Sequence, residues 1–123
     1  MNPFQLIGMP FRLGADPVKH GKTDCLSLAR TVLKHYGIDS PEPTRDWYRR
    51  LRKKDYAIFK QELQKWGTRT KTPKIGTVGL AKSKQAYCLI VFFEQGWLSC
   101  NETEVRWSPL DFLQVEELYC PSN

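Results

Sequence analysis

Eight consecutive residues, Ala86-Tyr87-Cys88-Leu89-Ile90-Val91-Phe92-Phe93, carry no charge, no glycine and no proline. Side chains of a strand alternate between its two faces, so a run without polar alternation puts apolar groups on both. Such a run reads as a central strand, covered on each side by other parts of the chain. The flanking signals predict its neighbours. Residues 75–80 form a short strand before it. Gln95-Gly96 makes a turn, residues 97–100 a third strand and residues 104–107 a fourth. Ser108-Pro109-Leu110 opens a single helical turn, and residues 117–120 close the sheet.

The chain before residue 71 has a different period. Leu28, Ala29, Val32, Leu33 and Tyr36 recur at helical spacing, which predicts a helix over about 24–36. Thr23 or Asp24 caps its start, and Gly37 stands where a left-handed residue ends it. Cys25 falls on the same stripe, at the first turn, facing inward. A second helical region covers about 46–66, with Thr44 as cap, Gly67 as stop and a break near Asp55. Trp47, Leu51, Phe59, Leu63 and Trp66 form its buried side. Residues 1–22 read as an ordered arm and loop, and residues 40–43 as a turn. Helices followed by a mostly antiparallel sheet make an α+β chain. No internal repeat or low-complexity tract interrupts it. The 123 residues, 41% of them hydrophobic, suit one domain: an arm over 1–22, a helical part over 23–67 and a sheet over 71–123.

Charge is unevenly spread. Residues 1–84 hold 18 Lys/Arg against 7 Asp/Glu, whereas residues 85–123 hold 1 against 6. A bipolar domain of this kind orients on a charged partner or stacks head to tail. Arg49, Arg50, Arg52, Lys53 and Lys54 are the densest basic run. They are candidate binding residues on an exposed helix face. Nucleic acid is not the expected partner, because no aromatics interleave with them as a stacking platform. No apolar stretch reaches the roughly 20 residues of a membrane helix. Residues 1–7 lack a basic leader, so no secretory signal is expected.

The four cysteines, Cys25, Cys88, Cys100 and Cys120, include no CxxC pair, so neither a zinc knuckle nor a thioredoxin motif is indicated. A thiol at the first turn of a helix is the placement that favours a thiolate, because free N–H groups and the helix dipole point at it. Buried cysteines at helix starts are, however, usually inert core residues.

The wider pattern separates those two readings. Gly8-Met9-Pro10-Phe11-Arg12-Leu13-Gly14 followed by Gly21-Lys22-Thr23-Asp24-Cys25-Leu26-Ser27-Leu28 resembles the opening of the NlpC-type papain-like cysteine peptidases, which cleave cell-wall peptides. The resemblance runs from about Ile7 to Pro121 and is most specific at the Asp-Cys helix. It implies Cys25 as the nucleophile position. Laying residues 88–100 along the family's next two strands puts the catalytic base on Cys88 and its orienting partner on Cys100. A register slipped by one gives Tyr87 and Ser99 instead. No register supplies a histidine, because the chain has only His20 and His35. The aromatic beside the family's oxyanion site is Phe11, without the tyrosine hydroxyl. His35 lies ten residues beyond Cys25 on the same helix, out of reach. His20, five residues before it, would have to fold back over the thiol.

These departures predict a pseudo-enzyme. Cys25, Cys88 and Cys100 then either cluster as a disulfide or a thiolate metal site with His20, or fill the space that histidines vacated. The second is the expectation, with no metal and no cofactor. The short members that this layout resembles sit in phage tails. A virion location is thus implied, with other tail proteins as partners and peptidoglycan as the family's ligand. The alternative is an active hydrolase that uses Cys25 and a different base.

Overall fold

The structure is a computed structural model and describes residues 1–83 and 86–121. Its helices are α1 (Pro17–His20), α2 (Cys25–His35), α3 (Arg45–Arg52) and α4 (Ala57–Glu62), with 3-10 turns at Pro3–Leu6 and Leu63–Trp66. Its strands are β1 (Thr68–Arg69), β2 (Val78–Ser83), β3 (Ala86–Phe93), β4 (Gly96–Cys100), β5 (Val105–Pro109) and β6 (Gln114–Cys120). They form one antiparallel sheet in the order β1-β6-β2-β3-β4-β5. The chain is therefore α+β. Among the described residues no helix is long and apolar enough to cross a membrane.

The apolar run is β3, an inner strand between β2 and β4. Leu89, Val91 and Phe93 point into the main core, where α2, α4 and the 3-10 turns pack on the sheet. Ile90 and Phe92 point the other way, into a smaller cluster with Ala81 and Trp97. Among the described residues no helix packs on that second cluster. Leu113, Val115 and Leu118 pack on it, and the Trp97 indole donates to the Leu110 carbonyl at 3.2 Å, which draws the β5–β6 connection across. Val115 and Leu118 share this face although an odd number of positions separates them. A β-bulge explains it: Leu80 pairs with Glu117 while Ala81 pairs with Val115, so one extra residue reverses the alternation.

Several boundaries differ from the sequence expectation. The first strand of the sheet's inner part begins at Val78 rather than at residue 75. Lys74 and Thr77 close a turn through paired bonds of 3.0 and 2.9 Å, which leaves Ile75 outside, 58% exposed. The β3–β4 turn is Glu94-Gln95, both at positive φ, and Gly96 already belongs to β4. Ser108 and Pro109 finish β5 instead of opening a helical turn. Proline is tolerated there because β5 is the edge of the sheet. The arm contains the short helix α1, capped by Asp16, whose Oδ1 accepts from the N–H groups of Val18 and Lys19. The second helical region does break before Asp55, with Lys54 in the left-handed conformation.

Candidate functional site

Asp24 organises the entrance to α2. It is buried, and its two oxygens have different duties. Oδ1 caps the helix by accepting the Ser27 N–H at 2.7 Å, and Oδ2 accepts the Gly14 N–H at 2.8 Å. One carboxylate thus ties the segment over residues 8–14 to the helix. Backbone bonds complete the join: Thr23 N–H to the Pro10 carbonyl and Arg12 N–H to the Thr23 carbonyl, both at 3.0 Å. On its other side Phe11 donates to the Thr103 carbonyl, between β4 and β5. Phe11 itself is partly buried and packs on the main core. The two halves of the sequence motif therefore lie side by side.

Cys25 opens α2, partly buried against the main core. The Leu89 N–H is directed at its sulfur and favours the thiolate, but burial outweighs it. Burial, the neighbouring Cys88 and Asp24 together push the Cys25 thiol well above its ordinary value. Cys100 is buried on the same side of the sheet. Its Sγ lies 3.6 Å from the Thr23 carbonyl and 3.5 Å from that of Asn101, and burial followed by the Asp24 charge raises its pKa to about 12.

Cys88 is placed differently. It pairs with Ala81 on β2 and packs with the second cluster, on the face away from α2. The two thiols oppose each other's ionisation, and burial holds the Cys88 pKa at about 11. The positions of β3 that face the helical layer are Tyr87, Leu89, Val91 and Phe93. The residue aligned with the base thus sits on the opposite face, and the register slipped by one supplies Tyr87 on the helical side. Its ring is covered by Lys60 at 5.1 Å and Lys82 at 5.9 Å. Ser99, the other residue of that slipped register, faces away from the main core, whereas Cys100 faces into it.

Neither histidine acts on Cys25. His20 ends α1 and its Nδ1 accepts the Asp16 N–H at 2.9 Å, and His35 ends α2 in an edge-on contact with Tyr36. All four cysteines are free thiols, and among the described residues no three His, Cys, Asp or Glu side chains converge to hold a metal.

Tyr48 is a neighbour that the sequence did not single out. It projects from α3 with its hydroxyl beside Asp24 and Ser27 and within electrostatic reach of Cys25. Burial, then the Asp24 charge, raises its pKa to about 12. Its only sequence signal is its place next to Trp47 on an amphipathic helix.

The basic run divides. Arg50 turns to Asp55 at 2.7 Å and to Gln61 at 2.7 Å. Arg49, Arg52 and Lys53 join Arg45 and Tyr48 around a concavity of about 500 Å³. Lys54 stands past the end of α3, exposed. The binding set read from the sequence is therefore two sets, and Arg45 was missing from it. No family model matches the chain, and no curated protein matches it.

A nucleophilic thiol needs a thiolate fraction and a base that moves its proton. Here the thiol is held protonated by its surroundings, next to other thiols and a carboxylate that already accepts two N–H groups.

Proposed function

We propose that this chain is a degenerate NlpC-type domain, a relative of cysteine peptidases that no longer hydrolyses peptides and serves as a structural or assembly component of a phage tail or virion hub. The observation that carries the non-catalytic reading is the setting of Cys25. Burial and the Asp24 carboxylate disfavour its thiolate, and both histidines are engaged elsewhere. The papain-like assignment is supported by the Asp-Cys helix packed on an antiparallel sheet, with the Gly-Met-Pro-Phe segment bonded across its start. The tail role rests on the family resemblance alone. The exposed basic face of α3 is the surface such a role would use for neighbouring subunits.

Two experiments test the parts separately. Purified protein added to peptidoglycan is expected to leave it intact. Clearing by the wild type that Cys25→Ala abolishes would overturn the non-catalytic reading and restore the hydrolase. For assembly, mass spectrometry of purified virions from the host system is expected to find the chain at a fixed ratio to tail proteins. Its presence only in the free lysate fraction would refute the tail role.

A further inference from the structure

Arg45, Arg49 and Arg52 recur four and then three residues apart on α3, so they share one face of the helix. With Lys53 and the half-buried Tyr48 they line the concavity of about 500 Å³. The opposing wall is the loop at Leu13 and Gly14, which Asp24 fixes through the Gly14 N–H at 2.8 Å. The hollow thus has one wall from a helix and one from a tethered loop. Its volume lies within the roughly 300–1,000 Å³ of small-molecule sites.

The lining holds four cations and no carboxylate. Arg49 is engaged by Asp46, but among the described residues Arg45, Arg52 and Lys53 form no ion pair. Arg50, on another face of the same helix, shows the contrast: Asp55 neutralises it. Cations gathered around a concave surface repel one another and focus a positive potential into it. A multiply charged anion relieves that repulsion. Guanidinium forks suit the oxygens of phosphate groups, which they bind in pairs. A lone carboxylate would balance only one of the three unpaired cations.

We propose that this concavity binds a compact ligand with linked phosphate groups, of the inorganic polyphosphate or nucleoside triphosphate class. The site is independent of the fate of Cys25. A nucleic-acid duplex is the less fitting occupant, because α3 has only eight residues and its cations face the tethered loop at Leu13 and Gly14 across the hollow.

Calorimetric titration of the full chain with inorganic tripolyphosphate, and separately with ATP, tests it. Saturable binding of one ligand per chain is expected, weaker at higher salt. Arg45→Ala and Arg52→Ala should each reduce affinity about tenfold, the loss of one charge-assisted contact. Lys74→Ala, outside the concavity, should leave it unchanged. Equal affinity for the two probes assigns recognition to the phosphates, and tighter ATP binding adds a contact to the nucleoside; either supports the site. Absence of saturable binding at millimolar probe would overturn it, as would equal weakening by Lys74→Ala. A short DNA duplex binding more tightly than tripolyphosphate would also overturn it, in favour of a nucleic-acid surface. Should a variant misfold, amide shifts of the wild type on adding tripolyphosphate decide: changes centred on Arg45, Tyr48 and Gly14 support the site, and scattered changes refute it.

Discussion

Asp24 carries two jobs with one side chain, and its loss should be felt in both. Replacement by alanine frees the Ser27 and Gly14 N–H groups in a buried place. We expect Asp24→Ala to lower stability by about 2–3 kcal/mol, the sum of a lost cap and a lost charge-assisted bond. Asp24→Asn, which retains an acceptor, should lose less. Urea midpoints of the two variants check this, and an unchanged midpoint for the alanine variant would contradict the tether. At this scale the sequence was uneven in what it disclosed. Cys25 and Cys100 could be placed because each follows from its own element, a capped helix start and a strand end. The facing of Cys88 could not, because a shift of one residue reverses every side chain of a strand. Tyr48 was hidden because its contact joins two helices, and nothing local to either encodes that packing.

The elements show the same division between local signal and tertiary context. β3 was legible to its ends because an all-apolar run admits one environment, a strand buried on both faces. The strand before it was expected over 75–80 and begins at Val78, because the Lys74–Thr77 turn leaves Ile75 outside the sheet. The bulge in β6 has no sequence signature, since it arises from pairing with β2. Two substitutions test the elements as described. Gly96 pairs with Phe93 and Pro109, and a Cβ there would meet the Ser108 carbonyl and the Trp107 indole. That indole also donates to the Phe93 carbonyl at 2.8 Å, stitching β5 to the β3–β4 turn. Gly96→Ala should therefore cost about 1–3 kcal/mol by overpacking, and the indole environment should change in near-ultraviolet circular dichroism. Lys54, at φ 58, ends α3 in a conformation that glycine adopts freely. Lys54→Gly is expected to raise stability by about 1 kcal/mol, read as a higher thermal midpoint, and a lower midpoint would contradict the assigned break.

At the scale of the whole molecule, protonated groups collect where α2 meets the sheet, with Cys88 on the opposite face of β3. Burial raises the thiols of Cys25, Cys88 and Cys100 and the Tyr48 phenol. The consequence for folding has a definite sign. Below the ordinary thiol value of about 8.5 both folded and unfolded chains keep these protons, and the groups add no pH dependence. Above it the unfolded chain loses protons that the folded chain retains, so stability falls as pH rises. The fall continues until the folded values are passed, about 11 for Cys88 and about 12 for Cys100. Urea midpoints should be level in this respect near neutrality and decline from about pH 9 upward. Cys100→Ala should make the decline shallower, whatever it does to absolute stability. A decline of equal steepness in that variant would show that Cys100 is not one of the groups responsible. The bipolar charge was fully legible from composition. That four of its cations line one concavity was not, because the loop at Leu13 and Gly14 reaches α3 only in the fold.

As proposed above, the Cys25 thiol is core filling and not an activated nucleophile. The rate of Cys25 alkylation by iodoacetamide, followed by peptide mapping from pH 6 upward on the native protein, distinguishes the two. Slow modification at neutral pH is expected, with an apparent pKa above the free thiol value of about 8.5, as burial and the Asp24 carboxylate require. Rapid modification of Cys25 ahead of the other cysteines at pH 7, with an apparent pKa well below that value, would contradict the account and return the chain to the hydrolases.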